Sequence, residues 1–186
     1  MRLFVAINLP SEVRRSLWIT TEPLRALDVP VRWIGAESIH LTLKFLGDVE
    51  TEKERDVIDA VESTVAGAPW FVLPIGGFGM FPNATRPRVV WVGCESVPGL
   101  ELLRDRLERR MESVGFPIDG RPFRPHLTLG RVRRDAKHAD VRPLGPKMDE
   151  LSYGTETDVE SVELMESELG KGGARYAVRH SVELAR

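Results

Sequence analysis

The sequence predicts an α+β fold with an internal pseudo-twofold duplication, and three observations carry that expectation. Stretches with helical apolar spacing are interspersed with short apolar, strand-like stretches. The tetrapeptide His-Leu-Thr-Leu occurs at 40–43 and again at 126–129, an offset of 86. At the same offset the run Leu3-Phe4-Val5-Ala6 falls on Val89-Val90-Trp91-Val92, and the amphipathic segment after the first run falls on the one after the second. A register shared by a motif, a strand and a helix points to a repeated structural unit.

The elements follow in chain order. The apolar run at the N-terminus is interrupted by Asn8 and Pro10 before a signal-peptide core would end, so it reads as a first strand. A helix is expected after Pro10, with Ser11 as N-cap, Val13, Leu17 and Trp18 on one face, and Pro23 ending or kinking it. The first motif sits on a strand. A second helix is expected from Thr51, where Thr51 and Glu54 have capping-box spacing, with Val57, Val61 and Val65 as its stripe and Gly67-Ala68-Pro69 as its end. Leu100, Leu103, Leu107, Met111 and Val114 keep helical spacing until Gly115 and mark the clearest helix. Further strands are expected over 71–75, 159–164 and 176–184, and loops over 76–87, 133–147 and 170–173.

Composition narrows the function classes. A chain of 186 residues, 42% hydrophobic, is long enough to bury a core and is expected to form one folding unit over 1–186. Its formal charge of −2 gives no global attraction to polyanions, so extended groove binding to duplex nucleic acid is not suggested and any nucleic-acid contact should be local. No stretch approaches the roughly 20 apolar residues of a membrane-spanning helix. One cysteine, Cys94, excludes an internal disulfide and a cysteine-based zinc site, and reads as a small apolar strand residue. The expectation is a soluble, cytoplasmic monomer without metal or cofactor. Gly76-Gly77-Phe78-Gly79 lacks the Lys-Ser/Thr ending of a triphosphate-binding loop.

The repeated motif carries the chemistry. Side chains alternate along a strand, so His40 and Thr42 share one face, which Lys44 extends, while Leu41, Leu43 and Phe45 share the other. His126 and Thr128 stand likewise against Leu127 and Leu129. A pseudo-twofold axis would bring the two polar faces together across one cleft. Two imidazoles around a phosphate suit a cyclic phosphodiester, which needs a base to activate water and an acid to protonate the departing ribose oxygen. Thr42 and Thr128 would donate to the nonbridging oxygens. A single His-x-Thr means little; two in matching repeat positions mean much more, although duplication also preserves structural motifs. His138 reads as part of a solvated polar loop and His180 as a packed or edge residue. Arg121, Arg124, Arg131, Arg133, Arg134 and Lys137 cluster around the second motif, either as ordinary solvated charge or as a rim for RNA phosphates. Phe81 or Tyr176 could stack on a base, with packing as the default for both.

These residues resemble the 2H phosphoesterase superfamily, named for two His-x-Thr/Ser motifs, and within it the RNA 2′,3′-cyclic phosphodiesterase branch, also called 2′,5′ RNA ligase-like. The matching stretches span essentially the whole chain: 2–7, 40–47, 77–82 leading to 90–93, 123–131, and 167–176. The resemblance implies a bilobal fold of two intertwined lobes, with two antiparallel sheets flanking a central cleft and helices outside. It implies conversion of a terminal 2′,3′-cyclic phosphate to a 2′-phosphate on RNA, including tRNA-derived ends, or on small cyclic nucleotides. By carry-over His40 would be the proton donor and His126 the acceptor, with Thr42 and Thr128 on the phosphate; the pseudo-symmetry leaves the assignment of acid and base open. Lys44, Arg131 and Tyr176 are further substrate-contact candidates. ATP-independent 2′,5′ joining of RNA ends and a noncatalytic RNA-end or nucleotide binding module are the alternatives.

Overall fold

Strand β1 (Arg2–Asn8) is followed by α1 (Ser11–Thr20), the one-turn α2 (Glu22–Arg25) and the three-residue β2 (Val31–Trp33). The first motif opens β3 (His40–Asp48), after which come α3 (Glu54–Val65), β4 (Phe71–Phe81) and β5 (Val89–Cys94). Then follow α4 (Pro98–Ser113), β6 (His126–Val132) opening on the second motif, and the short α5 (His138–Val141) and α6 (Leu144–Asp149). The chain closes with β7 (Gly154–Val159), β8 (Ser161–Gly170) and β9 (Gly173–Glu183). The computed structural model describes residues 1–186.

The fold is α+β, with antiparallel strands flanked by helices. Strand order is β7-β4-β5-β6-β3-β1-β8-β9, with β2 added to β6. The two expected sheets are thus joined, but only through one residue pair between β3 and β6, Leu41 with Leu127. On one side lie β3, β1, β8 and β9; on the other lie β6, β5, β4 and β7. Each side draws strands from both halves of the chain. β3 leaves β6 after the Leu41–Leu127 pair, and β2 takes over the β6 edge from Gly130 to Val132.

One face of this sheet packs against the helices in a core of 34 buried residues, which includes Leu17 of α1, Val57 and Val61 of α3, and Leu100, Leu103, Leu107 and Met111 of α4. The helical spacing of those residues is what directs each helix onto the sheet. A separate small cluster, Phe4, Ala6 and Met165 with Tyr176 against it, lies apart from that core. Because β1 alternates, Leu3, Val5 and Ile7 enter the main core while Phe4 and Ala6 form this second cluster.

Several expectations give way to local physics. Helix α1 ends at Thr20, and Pro23 sits in the first turn of α2, where its missing N–H costs nothing. Neither Ser11 nor Thr51 caps a helix with its side chain: Pro10 holds the N-cap position of α1, and 51–53 is a 3₁₀ turn before α3. Residues 76–81 continue β4 instead of forming a loop. The pairing with β5 slips between Ile75 and Phe78, and Gly77, at φ +77, absorbs the slip. Within 133–147 the chain forms α5 and α6, and Val141, Leu144 and Met148 are buried at helical spacing over a stretch too short to show a period. Glu160 divides the strand expected over 159–164 between β7 and β8, and β9 starts at Gly173.

The repeat is also slightly out of step. Phe4 pairs with Phe45 as Val89 pairs with Arg131, so the first strands are related by an offset of 85 while the motif strands keep 86.

Candidate active site

The two motifs meet at the single pair that joins the sheets. In the antiparallel register through Leu41 and Leu127, one step to either side sets His40 opposite Thr128 and Thr42 opposite His126. Both leucines are buried, so the alternating His and Thr side chains project from the opposite face of the sheet. A pseudo-twofold axis through the leucine pair relates one His-Thr couple to the other, and the strands diverge on both sides of it.

Each imidazole is oriented by the backbone two residues before it. Nδ1–H of His40 donates to the Ser38 carbonyl at 2.8 Å, and Nδ1–H of His126 donates to the Arg124 carbonyl at 2.7 Å. A carbonyl only accepts, so Nδ1 carries the proton in both rings and Nε2 holds the lone pair of the neutral form. The Thr42 hydroxyl donates to Nε2 of His40 at 3.0 Å. Nε2 of His126 makes no protein hydrogen bond.

Aromatic rings wall both imidazoles. Phe4 and Tyr176 lie 5.0 Å from the His40 ring, Tyr176 meeting it edge-on, and Phe81 meets His126 edge-on at 4.9 Å with Trp91 behind. Burial among these rings pushes both histidines below their ordinary pKa. The carbonyl bond at Nδ1 pulls each back up, and the Arg131 guanidinium adds a smaller push down on both. One cation therefore acts on the two rings together.

A bulge repeated in the two motif strands decides what else reaches this face. Ala6 faces Thr42 but Val5 faces Lys44, so Leu43 is an extra residue in β3. Trp91 faces Thr128 but Val90 faces Gly130, so Leu129 is the extra residue in β6. An added residue reverses the alternation beyond it. Lys44 therefore does not extend the polar face: it is 6% exposed, and its Nζ donates to Glu108 at 2.7 Å and to the Pro117 carbonyl at 2.8 Å. Arg104 also pairs with Glu108, which closes a buried ionic cluster between α4 and β3. Phe45, expected beside the leucines, is 67% exposed, with its ring 6.0 Å from Phe4. In β6 the same shift buries Gly130 and leaves Arg131 exposed.

The structure thus brings His40, Thr42, His126, Thr128, Arg131 and Tyr176 together and removes Lys44. Sequence reasoning missed Phe45 and Phe4, and it did not identify the Ser38 and Arg124 carbonyls. The only available signal was the position five residues after each histidine, occupied by Phe45 and Arg131, and it becomes legible once both bulges are known. His138 is exposed at the start of α5, and His180 bonds Glu62 at 3.0 Å on the surface. Cys94 is sheltered in β5, where burial pushes its thiol up to about 12. No three His, Cys, Asp or Glu side chains converge as a metal site, and no helix is long and apolar enough to cross a membrane.

Known proteins share this architecture. The family model described as the 2′-5′ RNA ligase superfamily matches residues 13–171. An RNA 2′,3′-cyclic phosphodiesterase of Methanothermobacter thermautotrophicus is 32% identical over 176 residues, 95% of each chain. The RNA 2′,3′-cyclic phosphodiesterase of Escherichia coli is 36% identical over 181 residues, 94% of this chain and 92% of its own. A crystal structure from Thermus thermophilus superposes with a TM-score of 0.84 at 29% identity, covering 99% of this chain and 98% of that one. The crystal structure of E. coli LigT complexed with 3′-AMP superposes at 0.79 with 28% identity, covering 100% and 98%.

Proposed function

The chain belongs to the 2′-5′ RNA ligase superfamily, and from that premise we propose that it hydrolyses the 2′,3′-cyclic phosphate at an RNA end to a 2′-phosphate, with His40 and His126 as acid and base. The observation that carries this reading is the pair of Nδ1-anchored imidazoles set diagonally across the Leu41–Leu127 pair. With the phosphate between them, Nε2 of His126 takes a proton from water as the water oxygen bonds to phosphorus. The bond from phosphorus to the ribose 3′ oxygen breaks, and Nε2–H of His40 protonates that oxygen. The free lone pair on His126 favours it as the base. Thr42 and Thr128 donate to the nonbridging oxygens, where charge accumulates in the transition state.

The anionic phosphate raises both imidazole pKa values, so substrate binding itself favours the one protonated ring the reaction requires. Acid–base chemistry by the histidines asks for no metal. Phe45 offers an open face on which the terminal base stacks, while Tyr176 and Phe81 fix the imidazoles. RNA ends, including those cut from tRNA, fall within this substrate class, and the sheltered, unpaired Cys94 accords with a reducing, cytoplasmic setting.

Joining of RNA ends would use the same proton transfers in the same direction, with a hydroxyl of RNA in place of water as the group that loses its proton to His126 and bonds to phosphorus, and the ribose 3′ oxygen leaving as before. The names of the relatives favour hydrolysis. Incubating an oligoribonucleotide 2′,3′-cyclic phosphate in ¹⁸O-water separates the two: hydrolysis places one ¹⁸O in a 2′-phosphate. Unlabelled joined product as the main outcome would overturn the hydrolytic reading.

A further inference from the structure

Strand β2 breaks the internal symmetry. It occupies the β6 edge over 31–33, whereas the equivalent segment of the second half, 117–119, forms no strand. Its register sets Arg32 across from Arg131, between the Val31–Val132 and Trp33–Gly130 pairs. Partners across two strands project from the same face, and the Leu129 bulge has put Arg131 on the face of the histidines. Arg32 therefore stands on that face too, one strand farther out, at a spacing of about 4.8 Å.

The position is built rigidly. The Ile34 N–H donates to the Leu129 carbonyl at 2.8 Å, and the Trp33 ring and Val31 lie so close to Gly130 that a Cβ there would come within 2.7 Å of each. Both arginines are exposed, and neither has a carboxylate within ion-pair distance. Two like charges facing each other across strands are unfavourable. An anion between them reverses that sign, and a guanidinium matches a phosphodiester with two parallel bonds.

We propose that Arg32, beside Arg131, holds the internucleotide phosphate on the 5′ side of the terminal nucleotide, which makes the preferred substrate an RNA end and not a free nucleoside cyclic phosphate. The proposal rests on the cyclic phosphodiesterase reading above. The charge of Arg131 reaches both imidazoles and so belongs to the reacting phosphate's surroundings. Arg32 is the next cation outward on the same face, as the next phosphate is the next anion along the RNA.

The test compares a nucleoside 2′,3′-cyclic phosphate with a dinucleotide ending in the same cyclic phosphate, for wild type and Arg32→Gln. The ratio of kcat/KM for the dinucleotide to that for the nucleoside falls about tenfold in Arg32→Gln, as expected for one charge-assisted contact. The salt slope on the dinucleotide also falls by about one. A methylphosphonate at the dinucleotide linkage lowers the wild-type ratio and removes the effect of the substitution. Equal losses on both substrates, or an unchanged ratio, would overturn the role of Arg32 alone. If wild type opened neither substrate, the phosphodiesterase reading would fail and this proposal with it.

Discussion

His40 and His126 receive the same treatment from the fold: a carbonyl two residues upstream takes the Nδ1 proton, and an aromatic ring closes one side. Both rings therefore titrate below the ordinary histidine value of about 6.5 in the free protein. Catalysis needs one ring charged and the other neutral. Raising the pH past both depressed pKa values removes the acid, and lowering it below both removes the base. The bell-shaped profile of kcat/KM, which reports the free enzyme, is thus centred below pH 6.5. The profile of kcat lies at higher pH, since bound phosphate raises both values. A kcat/KM optimum above pH 7 would contradict this account of the two rings. At this scale the histidines and threonines were legible because the tetrapeptide occurs twice in one register. The exchange of Lys44 for Phe45 was not, because alternation alone puts the lysine on the polar face and nothing in Leu-Thr-Leu-Lys-Phe marks Leu43 as an inserted residue.

Among the elements, long and strongly periodic ones were the most legible. The α4 stripe from Leu100 to Met111 is buried throughout, and Gly115, at φ +99, follows its end. Short elements were not legible: β2 has three residues, and α5 and α6 have four and six, too few for a period to emerge. Gly76 and Gly77 looked like a loop because glycine serves turns and bulges equally well. The motif strands depend on these less visible pieces. Gly130 lets β2 lie against β6, so Gly130→Ala forces Trp33 and Val31 outward. Such overpacking destabilises by about 1–3 kcal/mol. A fall in melting temperature, with the edge between β2 and β6 losing amide-exchange protection first, is the expected result. A melting temperature unchanged within a degree would show that β2 is not seated as described.

For the molecule as a whole, the duplication places one motif on each side of a single backbone pair, so that the same tetrapeptide supplies two opposed imidazoles. The fold class and the facing of the two motifs followed from the shared offset. The exchange of strands between the two sides did not, since that depends on where the chain crosses after β3 and β7, and apolar spacing says nothing about crossings. The asymmetry between the sides, with exposed Phe45 beyond His40 and exposed Arg131 beyond His126, arises from residues that the repeat does not share. Whether His40 and His126 open the ring together is read by treating the protein with EDTA, supplying an end-labelled oligoribonucleotide 2′,3′-cyclic phosphate, and comparing wild type with His40→Ala, His126→Ala and the double variant. Wild type is expected to open the ring to a 2′-phosphate, each single variant to lose roughly 10²–10⁴-fold or more, and the double variant to be little worse than either, because the pair acts as a unit. Full activity in either single variant, or opening that appears only when a metal is restored, would contradict this joint action.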